Sequence, residues 1–165
     1  MPPCTGLRRA PTRCCSRANP ARSGYRDGPA SEALFSISSN AQVAADVNGN
    51  VYVSDSGRIR KISANGTVTT LAGDGTGSAA RDGSGAAASF TTTNAIVAKS
   101  SGSLLVADDI LVRRVSAGGT VITVYKSELG QYSRIESLAL DSKGTLYVDG
   151  LGYVGRLEAV PPGAS

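Results

Sequence analysis

Acidic and basic side chains recur at matching positions in two stretches of the sequence. Asp55 is followed by Arg58 and Arg60, and Asp108 is followed by Arg113. A row of arginines on one strand could bind the phosphates of a ligand or of RNA. The alternative, which we favour, is that the arginine stems cover apolar neighbours and the guanidinium groups pair with the aspartates. We keep these five residues as the candidate binding residues.

The two aspartates each come at the end of an apolar run. A strand-end aspartate often accepts hydrogen bonds from backbone N–H groups in the turn that follows. We expect that role for Asp55 and Asp108. Asp109 follows Asp108 directly, and adjacent side chains of an extended strand point to opposite sides. The two carboxylates therefore form no acid pair unless the chain turns there.

The composition excludes several kinds of reaction. The chain has no histidine, which excludes a Ser-His-Asp or Cys-His triad and a three-histidine zinc site. Its three cysteines, Cys4, Cys14 and Cys15, match no standard metal-ligand spacing. The sequence thus predicts no catalytic residue, no metal ligand and no cofactor.

One glycine-rich run superficially resembles a phosphate-binding or calcium-binding loop. Gly73–Gly77 follows an apolar run, but it lacks the Lys-Ser/Thr pair of a phosphate loop. With Asp82 it faintly resembles a Gly/Asp calcium repeat, in a single copy. We interpret the run as a flexible loop.

The net charge of +4 is concentrated at one end of the chain. Of 17 basic residues, six arginines lie in the first 26 positions, which hold no acid, so the remainder has 11 basic against 13 acidic residues. Residues 1–24 are expected to be a disordered basic tail with a weak similarity to an organelle transit sequence, and the sequence fixes no compartment. The mildly acidic remainder is a poor match to nucleic acid, and no run approaches the ~20 apolar residues of a membrane span.

A sequence repeat indicates the elements that position the candidate binding residues. The sequence contains three similar segments whose turn glycines are spaced by 53 and 42 residues: Ala44–Asp55 with Gly49, Ala98–Asp108 with Gly102, and Ala139–Asp149 with Gly144. Asn65-Gly66 between two β-branched runs is a strong hairpin signal. A period of this length built from short strands indicates a β-propeller. We predict an all-β fold of four-stranded antiparallel blades over about 41–72 and 95–126, with a partial blade over 136–158.

The repeated units resemble NHL repeats, most closely in the first unit. Ala44–Asp55 and Arg58–Ile62 follow the repeat pattern closely, and the resemblance extends over about residues 25–158. It implies a non-catalytic propeller module that binds or scaffolds a protein or ligand. The first alternative is a metal-dependent, lactonase-like hydrolase, and the second is an RNA-binding propeller. A lactonase-type site would need converging acids, whereas the glutamates do not sit at equivalent repeat positions: Glu32, Glu128, Glu136 and Glu158.

The predicted propeller is incomplete. Arg26–Phe35 copies Arg81–Phe90 at an offset of 55 residues, so the chain begins with a segment that should follow an earlier blade. The third unit ends at Pro161-Pro162 before a fourth strand, and 159–165 is expected to be a tail. Two and a half blades leave apolar sheet faces open to water. We therefore expect a fragment of a larger propeller, or self-association that completes the ring.

Overall fold

The computed structural model describes residues 23–127, 134–150 and 152–157. In these ranges the chain is built from short antiparallel strands, which confirms the predicted all-β propeller class. Most of the predicted basic tail, the predicted C-terminal tail, Glu128 and Glu158 lie outside the described residues. No helix in the described ranges is long and apolar enough to cross a membrane.

The strands form three sheets, which we number in chain order. Sheet 1 has the spatial order β1-β5-β4-β3-β2, sheet 2 has the order β6-β10-β9-β8-β7, and sheet 3 has the order β11-β12-β13. Sheet 1 contains β1 (Gly28–Pro29), β2 (Val43–Ala45), β3 (Val51–Asp55), β4 (Arg58–Ile62) and β5 (Thr67–Ala72). Sheet 2 contains β6 (Gly83–Ser84), β7 (Thr93–Ala98), β8 (Leu104–Asp108), β9 (Leu111–Val115) and β10 (Thr120–Lys126), with a 3₁₀ turn at Gly85–Ala87. Sheet 3 contains β11 (Ile135–Leu140), β12 (Leu146–Gly150) and β13 (Tyr153–Leu157).

Tight turns with glycine at a positive φ connect neighbouring strands. Gly66, between β4 and β5, has φ +84°, a conformation that L side chains rarely adopt. Asn65 accepts a hydrogen bond from the N–H of Thr67 across this turn, at 3.1 Å. The turn therefore has the hairpin geometry that its Asn-Gly pair predicts.

The first two sheets each carry a fifth strand that the sequence did not reveal. Gly28 pairs with Val68 of β5, and Gly83 pairs with Val121 of β10. These glycines end the Arg-Asp-Gly segments that the sequence repeats at an offset of 55 residues, Arg26–Gly28 and Arg81–Gly83. The structure shows that the end of each segment adds an outermost strand to the sheet that follows it.

The third repeat is aligned differently from our sequence alignment, which placed Asp149 with Asp55 and Asp108. Asp108 pairs with Leu111 across its hairpin, and the equivalent pair in sheet 3 is Gly150 with Tyr153. Asp149 is exposed and lies one position earlier. Because side chains alternate between faces, a shift of one residue moves the carboxylate to the other face of the sheet.

The core consists of two apolar layers, one between each pair of neighbouring sheets. Tyr52, Ile59 and Ala72 of sheet 1 pack against Leu104 and Val106 of sheet 2. The second layer joins the other face of sheet 2 to sheet 3, through residues that include Leu105, Val112, Ile135, Leu146 and Val148. Face-to-face packing in chain order is the arrangement of propeller blades.

Candidate functional site

The predicted site residues of sheet 2 meet inside the protein around a buried guanidinium. Arg113 is fully buried on β9. Its Nη1 donates to Oδ2 of Asp108 at 2.8 Å and to the carbonyl of Ser89 at 3.0 Å. Its Nη2 donates to Oδ1 of Asp82 at 2.9 Å and to the carbonyl of Arg81 at 2.7 Å. One side chain thus ties the strand-end acid to the segment 73–92, which precedes β7. We call this segment, and the segment 23–42 that precedes β2, the linkers.

Sheet 1 repeats this arrangement. Arg60, also fully buried, donates from Nη1 to Oδ2 of Asp55 at 2.5 Å and to the carbonyl of Leu34 at 3.1 Å. Its Nη2 donates to Oδ1 of Asp27 at 2.7 Å and to the carbonyl of Arg26 at 2.9 Å. We call Arg60 with Asp27 and Asp55 clamp 1. Clamp 2 is Arg113 with Asp82 and Asp108.

The linker acid of each clamp also binds the outer strand at a β-bulge. Asp82 accepts the N–H of Thr123 at 2.9 Å and its hydroxyl at 3.0 Å, at the point where the pairing of β9 with β10 shifts register. Burial alone would raise the pKa of Asp82, but the N–H and hydroxyl of Thr123 and the guanidinium of Arg113 hold it below its ordinary value. Asp27 binds Thr70 in the same way.

The strand-end acids bind the far end of the linker. Oδ1 of Asp108 accepts the N–H groups of Thr91 and Thr92 at 2.8 and 2.9 Å, and the hydroxyl of Thr91 at 2.7 Å. Oδ1 of Asp55 accepts the N–H of Ser36 at 2.6 Å. Backbone capping by these acids was expected, but in the following turn. These donors instead come from the segment that precedes the sheet, 16 to 19 residues earlier, and sequence proximity could not reveal that contact.

Aromatic rings line both clamps. The guanidinium carbon of Arg113 lies 5.2 Å from the ring centre of Phe90, and that of Arg60 lies 4.8 Å from Phe35. Such contacts stabilise a desolvated cation. The Nε atoms of both arginines are buried and have no hydrogen-bond partner among the described residues.

Arg58 belongs to neither clamp. Its guanidinium carbon lies 4.1 Å from the ring centre of Tyr25, and its Nη2 donates to the carbonyl of Asp74 at 3.0 Å. The structure therefore brings together Asp55 with Arg60 and Asp108 with Arg113, and it places Arg58 apart.

The glycine-rich loop is organised around one carboxylate. Asp74 accepts the N–H and hydroxyl of Thr76 at 2.8 and 2.9 Å, the hydroxyl of Ser89 at 3.1 Å, and Nη2 of Arg81 at 3.0 Å. These bonds, chiefly the Thr76 N–H, lower the pKa of Asp74. Gly73 has φ +102°, and a Cβ there would lie 2.3 Å from the carbonyl oxygen of Gly57. The loop interpreted as flexible is tied to its surroundings by side-chain bonds.

The acidic pair of sheet 2 is separated by a turn. Asp109 has φ +58°, so the chain does turn at the position where the sequence left that possibility open. Oδ1 of Asp109 contacts Arg134 at 3.3 Å on the surface, whereas Asp108 is buried with Arg113. The two acids serve different partners. In the described ranges no three His, Cys, Asp or Glu residues gather as a metal-binding group would.

A cleft of about 230 Å³ lies at the edge between sheets 1 and 2. It is lined by hydroxyls, one amide and one glycine: Ser38, Asn40, Ser54, Ser56, Gly57, Thr91, Thr92 and Thr93. Ser56 has φ +44°, which is uncommon for a residue with a side chain, and its hydroxyl donates to the carbonyl of Ser36 at 2.7 Å. Sequence reasoning missed this cleft because Ser and Thr are ordinary loop residues, and the run Thr91-Thr92-Thr93 is the sequence signal that could have pointed to it.

No family model matches the chain, and no curated protein matches it. Among solved structures, a streptogramin B lyase is similar with a TM-score of 0.56 at 13% identity, over 76% of this chain and 40% of that one. The virginiamycin B lyase of Staphylococcus aureus gives 0.53 at 12% identity, over 71% of this chain and 37% of that one. A gluconolactonase of Xanthomonas campestris gives 0.50 at 15% identity, over 70% of this chain and 36% of that one.

These similarities show the β-propeller fold. The chain spans roughly two fifths or less of the length of each of these three proteins. At such identities the similarity carries the fold alone, and the NHL resemblance stays a prediction.

Proposed function

We propose that this chain is a non-catalytic binding module of a β-propeller, with its ligand site in the cleft between sheets 1 and 2. The observation that supports this most directly is that most of the charged candidate residues are buried, whereas the cleft is lined by neutral polar side chains. Four of the five candidate binding residues are buried in the clamps: Asp55, Arg60, Asp108 and Arg113. The cleft between sheets 1 and 2 is accessible and presents hydroxyl and amide groups.

The chemistry of the lining defines the ligand class. Hydroxyl groups both donate and accept hydrogen bonds, and a neutral lining offers a charged ligand no counter-ion. We therefore propose a neutral, hydrogen-bonding ligand, either a short glycan or an uncharged peptide segment. A cleft of about 230 Å³ holds only a small part of such a chain.

The clamps position this cleft. Asp108 holds the N–H groups of Thr91 and Thr92, which form one wall, while Asp55 follows Ser54 of the opposite wall. Fixed walls reduce the ordering cost of binding. We thus assign Asp55, Arg60, Asp108 and Arg113 a positioning role.

The RNA-binding alternative has less support. Arg60 and Arg113 are 0% exposed, so these two cations of the predicted basic row cannot meet a phosphate. Arg58 stacks on Tyr25 and bonds to a backbone carbonyl. A guanidinium that is already neutralised inside the protein contributes no counter-ion release.

The enzyme alternative rests on fold similarity, and one fold hosts many activities. The virginiamycin B lyase is described as catalytically inactive in a variant with one histidine replaced by alanine. This chain contains no histidine, so its own residues cannot supply such a group.

The proposal is tested by amide NMR spectra of the ¹⁵N-labelled chain during titration with maltotriose and, separately, with tri-alanine blocked at both ends. We expect saturable shifts at Ser54, Ser56 and Thr92 with one of these probes, at least a threefold weaker affinity in Thr92→Val, and unchanged affinity in the matched control Ser101→Ala. Shifts with neither probe, or shifts outside the cleft, would overturn the proposed ligand site. Lactone hydrolysis that EDTA abolishes would overturn the non-catalytic assignment.

A further inference from the structure

The outward face of sheet 3 repeats the face of sheet 1 that packs on sheet 2. At an offset of 95 residues, the following pairs are equivalent: Ala44 and Ala139, Tyr52 and Tyr147, Ile59 and Val154, and Lys61 and Arg156. The strand pairing is the same, because Ala44, Tyr52 and Lys61 lie across from one another in sheet 1, as Ala139, Tyr147 and Arg156 do in sheet 3. These residues therefore form one surface in each sheet.

Among the described sheets, only the surface of sheet 1 is covered by another sheet. Ile59 is 0% exposed beneath sheet 2, whereas Val154 at the equivalent position is 77% exposed. Tyr52 is 1% exposed, and Tyr147 is only partly buried. Sheet 3 thus presents an apolar surface of the kind that sheet 1 buries.

Sheet 1 has the complementary free surface. Its other face carries Val43, Val51 and Ile62, which are equivalent to Ile96, Leu104 and Val115 of sheet 2 at an offset of 53 residues. Sheet 1 covers that face of sheet 2. Ile96 is 8% exposed there, while Val43 is 65% exposed on sheet 1.

Residues equivalent to the two sides of a polar contact in the covered interface also occur on sheets 1 and 3. The hydroxyl of Tyr52 donates to Asp46 at 3.0 Å and reaches the carbonyl of Gly102 in the next sheet at 3.5 Å. Asp141 and Tyr147 are the equivalents of Asp46 and Tyr52 in sheet 3, and Gly49 of sheet 1 is the equivalent of Gly102. The donor pair and the acceptor turn thus lie on opposite ends of the described chain.

We propose that copies of this chain associate head to tail, with sheet 3 of one copy packed on sheet 1 of the next as sheet 1 packs on sheet 2. The matching of both free faces to the two halves of one observed interface identifies a second copy as the occupant. Such a contact joins two different surfaces, so it forms a ring when the rotation closes. Two copies bring together six of the described sheets, three from each, within the usual four to eight blades of a propeller.

The first test is light scattering after size-exclusion chromatography of the full chain, from low to high micromolar concentration. We expect a mass near twice 16.7 kDa, and its loss in Val154→Asp and in Val43→Asp, because each places a charge in one half of the contact. The control is Ala117→Asp, since Ala117 is exposed in the turn between β9 and β10 of sheet 2, outside both faces. Circular dichroism checks that each variant stays folded.

The second test mixes the two variants. A head-to-tail contact needs one intact face from each partner, so Val43→Asp mixed with Val154→Asp should recover a species of twice the mass, whereas neither variant does alone. A wild-type chain that stays at 16.7 kDa over the whole concentration range would overturn the proposal. So would association that both variants leave intact, or a mixture that recovers nothing.

Discussion

The first two sheets and the third share a strand pattern but differ at their centres. Sheets 1 and 2 each hold a buried arginine between two aspartates, and each gains a fifth strand from the linker. In sheet 3, Gly155 replaces the arginine and Gly150 replaces the strand-end aspartate, and its described part has three strands. In the described residues, the arginine and the linker strand occur together in sheets 1 and 2.

This difference indicates that Arg60 and Arg113 hold the linkers in place, and that a sheet can pack on its neighbour without such an arginine. Sheet 3 packs on sheet 2 through Leu138, Leu146 and Val148 without any clamp. A buried ion pair is weak evidence for stability by itself, because desolvation offsets most of the Coulomb attraction. What the clamp adds is a fixed position for the segment that precedes each sheet.

The largest expected effect comes from leaving Arg113 without its buried partner. Asp108→Asn should lower the free energy of unfolding by about 3 to 5 kcal/mol, because it removes the carboxylate charge from a buried pair. Urea denaturation measures this change. Asp109→Asn is the matched control, since Asp109 is 46% exposed in a surface ion pair, and we expect less than about 0.5 kcal/mol. Equal losses in the two variants would mean that clamp 2 is not structural.

The next effect concerns why sheet 3 lacks a clamp. A Cβ on Gly150 would lie 2.6 Å from the carbonyl oxygen of Arg134 and 2.7 Å from the ring of Tyr153. Gly150→Ala should therefore cost about 1 to 3 kcal/mol by overpacking. On the same face, a Cβ on Gly155 comes no closer than 3.3 Å to Val148, so Gly155→Ala should stay within about 1 kcal/mol. Thermal unfolding of both variants measures the two stability losses. A Gly150→Ala variant as stable as the wild type would contradict the steric explanation.

A smaller effect separates the two clamps from each other. Oδ1 of Asp108, the oxygen that does not contact the arginine, accepts three hydrogen bonds from Thr91 and Thr92. Oδ1 of Asp55 accepts one, from Ser36. Asp55→Asn should therefore cost at least about 1 kcal/mol less than Asp108→Asn, given the strength of bonds to a charged acceptor. Parallel urea denaturation of the two variants measures the difference. Identical losses would show that the clamps are energetically equivalent despite their different bonding.

The smallest effect is an acid dependence of clamp 2. The pKa of Asp82 is lowered in the folded protein, so its stabilisation is complete above the ordinary aspartate value near 4 and is lost as the pH falls through the folded pKa. The stability of the wild type should fall more steeply than that of Asp82→Asn below about pH 4. Urea midpoints from pH 7 to pH 2.5 show this. If the urea midpoints of the two proteins fall in parallel with pH, Asp82 does not contribute to the loss of stability in acid.

Much of the fold follows from local sequence. The alternation of β-branched residues and the glycines at turns such as Asn65-Gly66 determine strands and hairpins, because those preferences act over a few residues. The repeat at Gly49, Gly102 and Gly144 indicates stacked sheets of one kind. Even the pairing of arginines with Asp55 and Asp108 was predictable from opposite charges at matching positions.

What the sequence alone determined is therefore the four main strands of each of the first two sheets, their repeat and the charged residues available to each sheet. The tertiary structure decided which partners those residues have: the linker strand beside β5, the linker N–H groups on Asp108, the replacement of Asp108 by Gly150 in sheet 3, and the hydroxyl cleft. The physical reason is distance along the chain. The contacts of the linker strand and of the linker N–H groups join residues 16 to 40 positions apart. A one-residue change of register, which composition does not reveal, reverses the face on which a side chain lies.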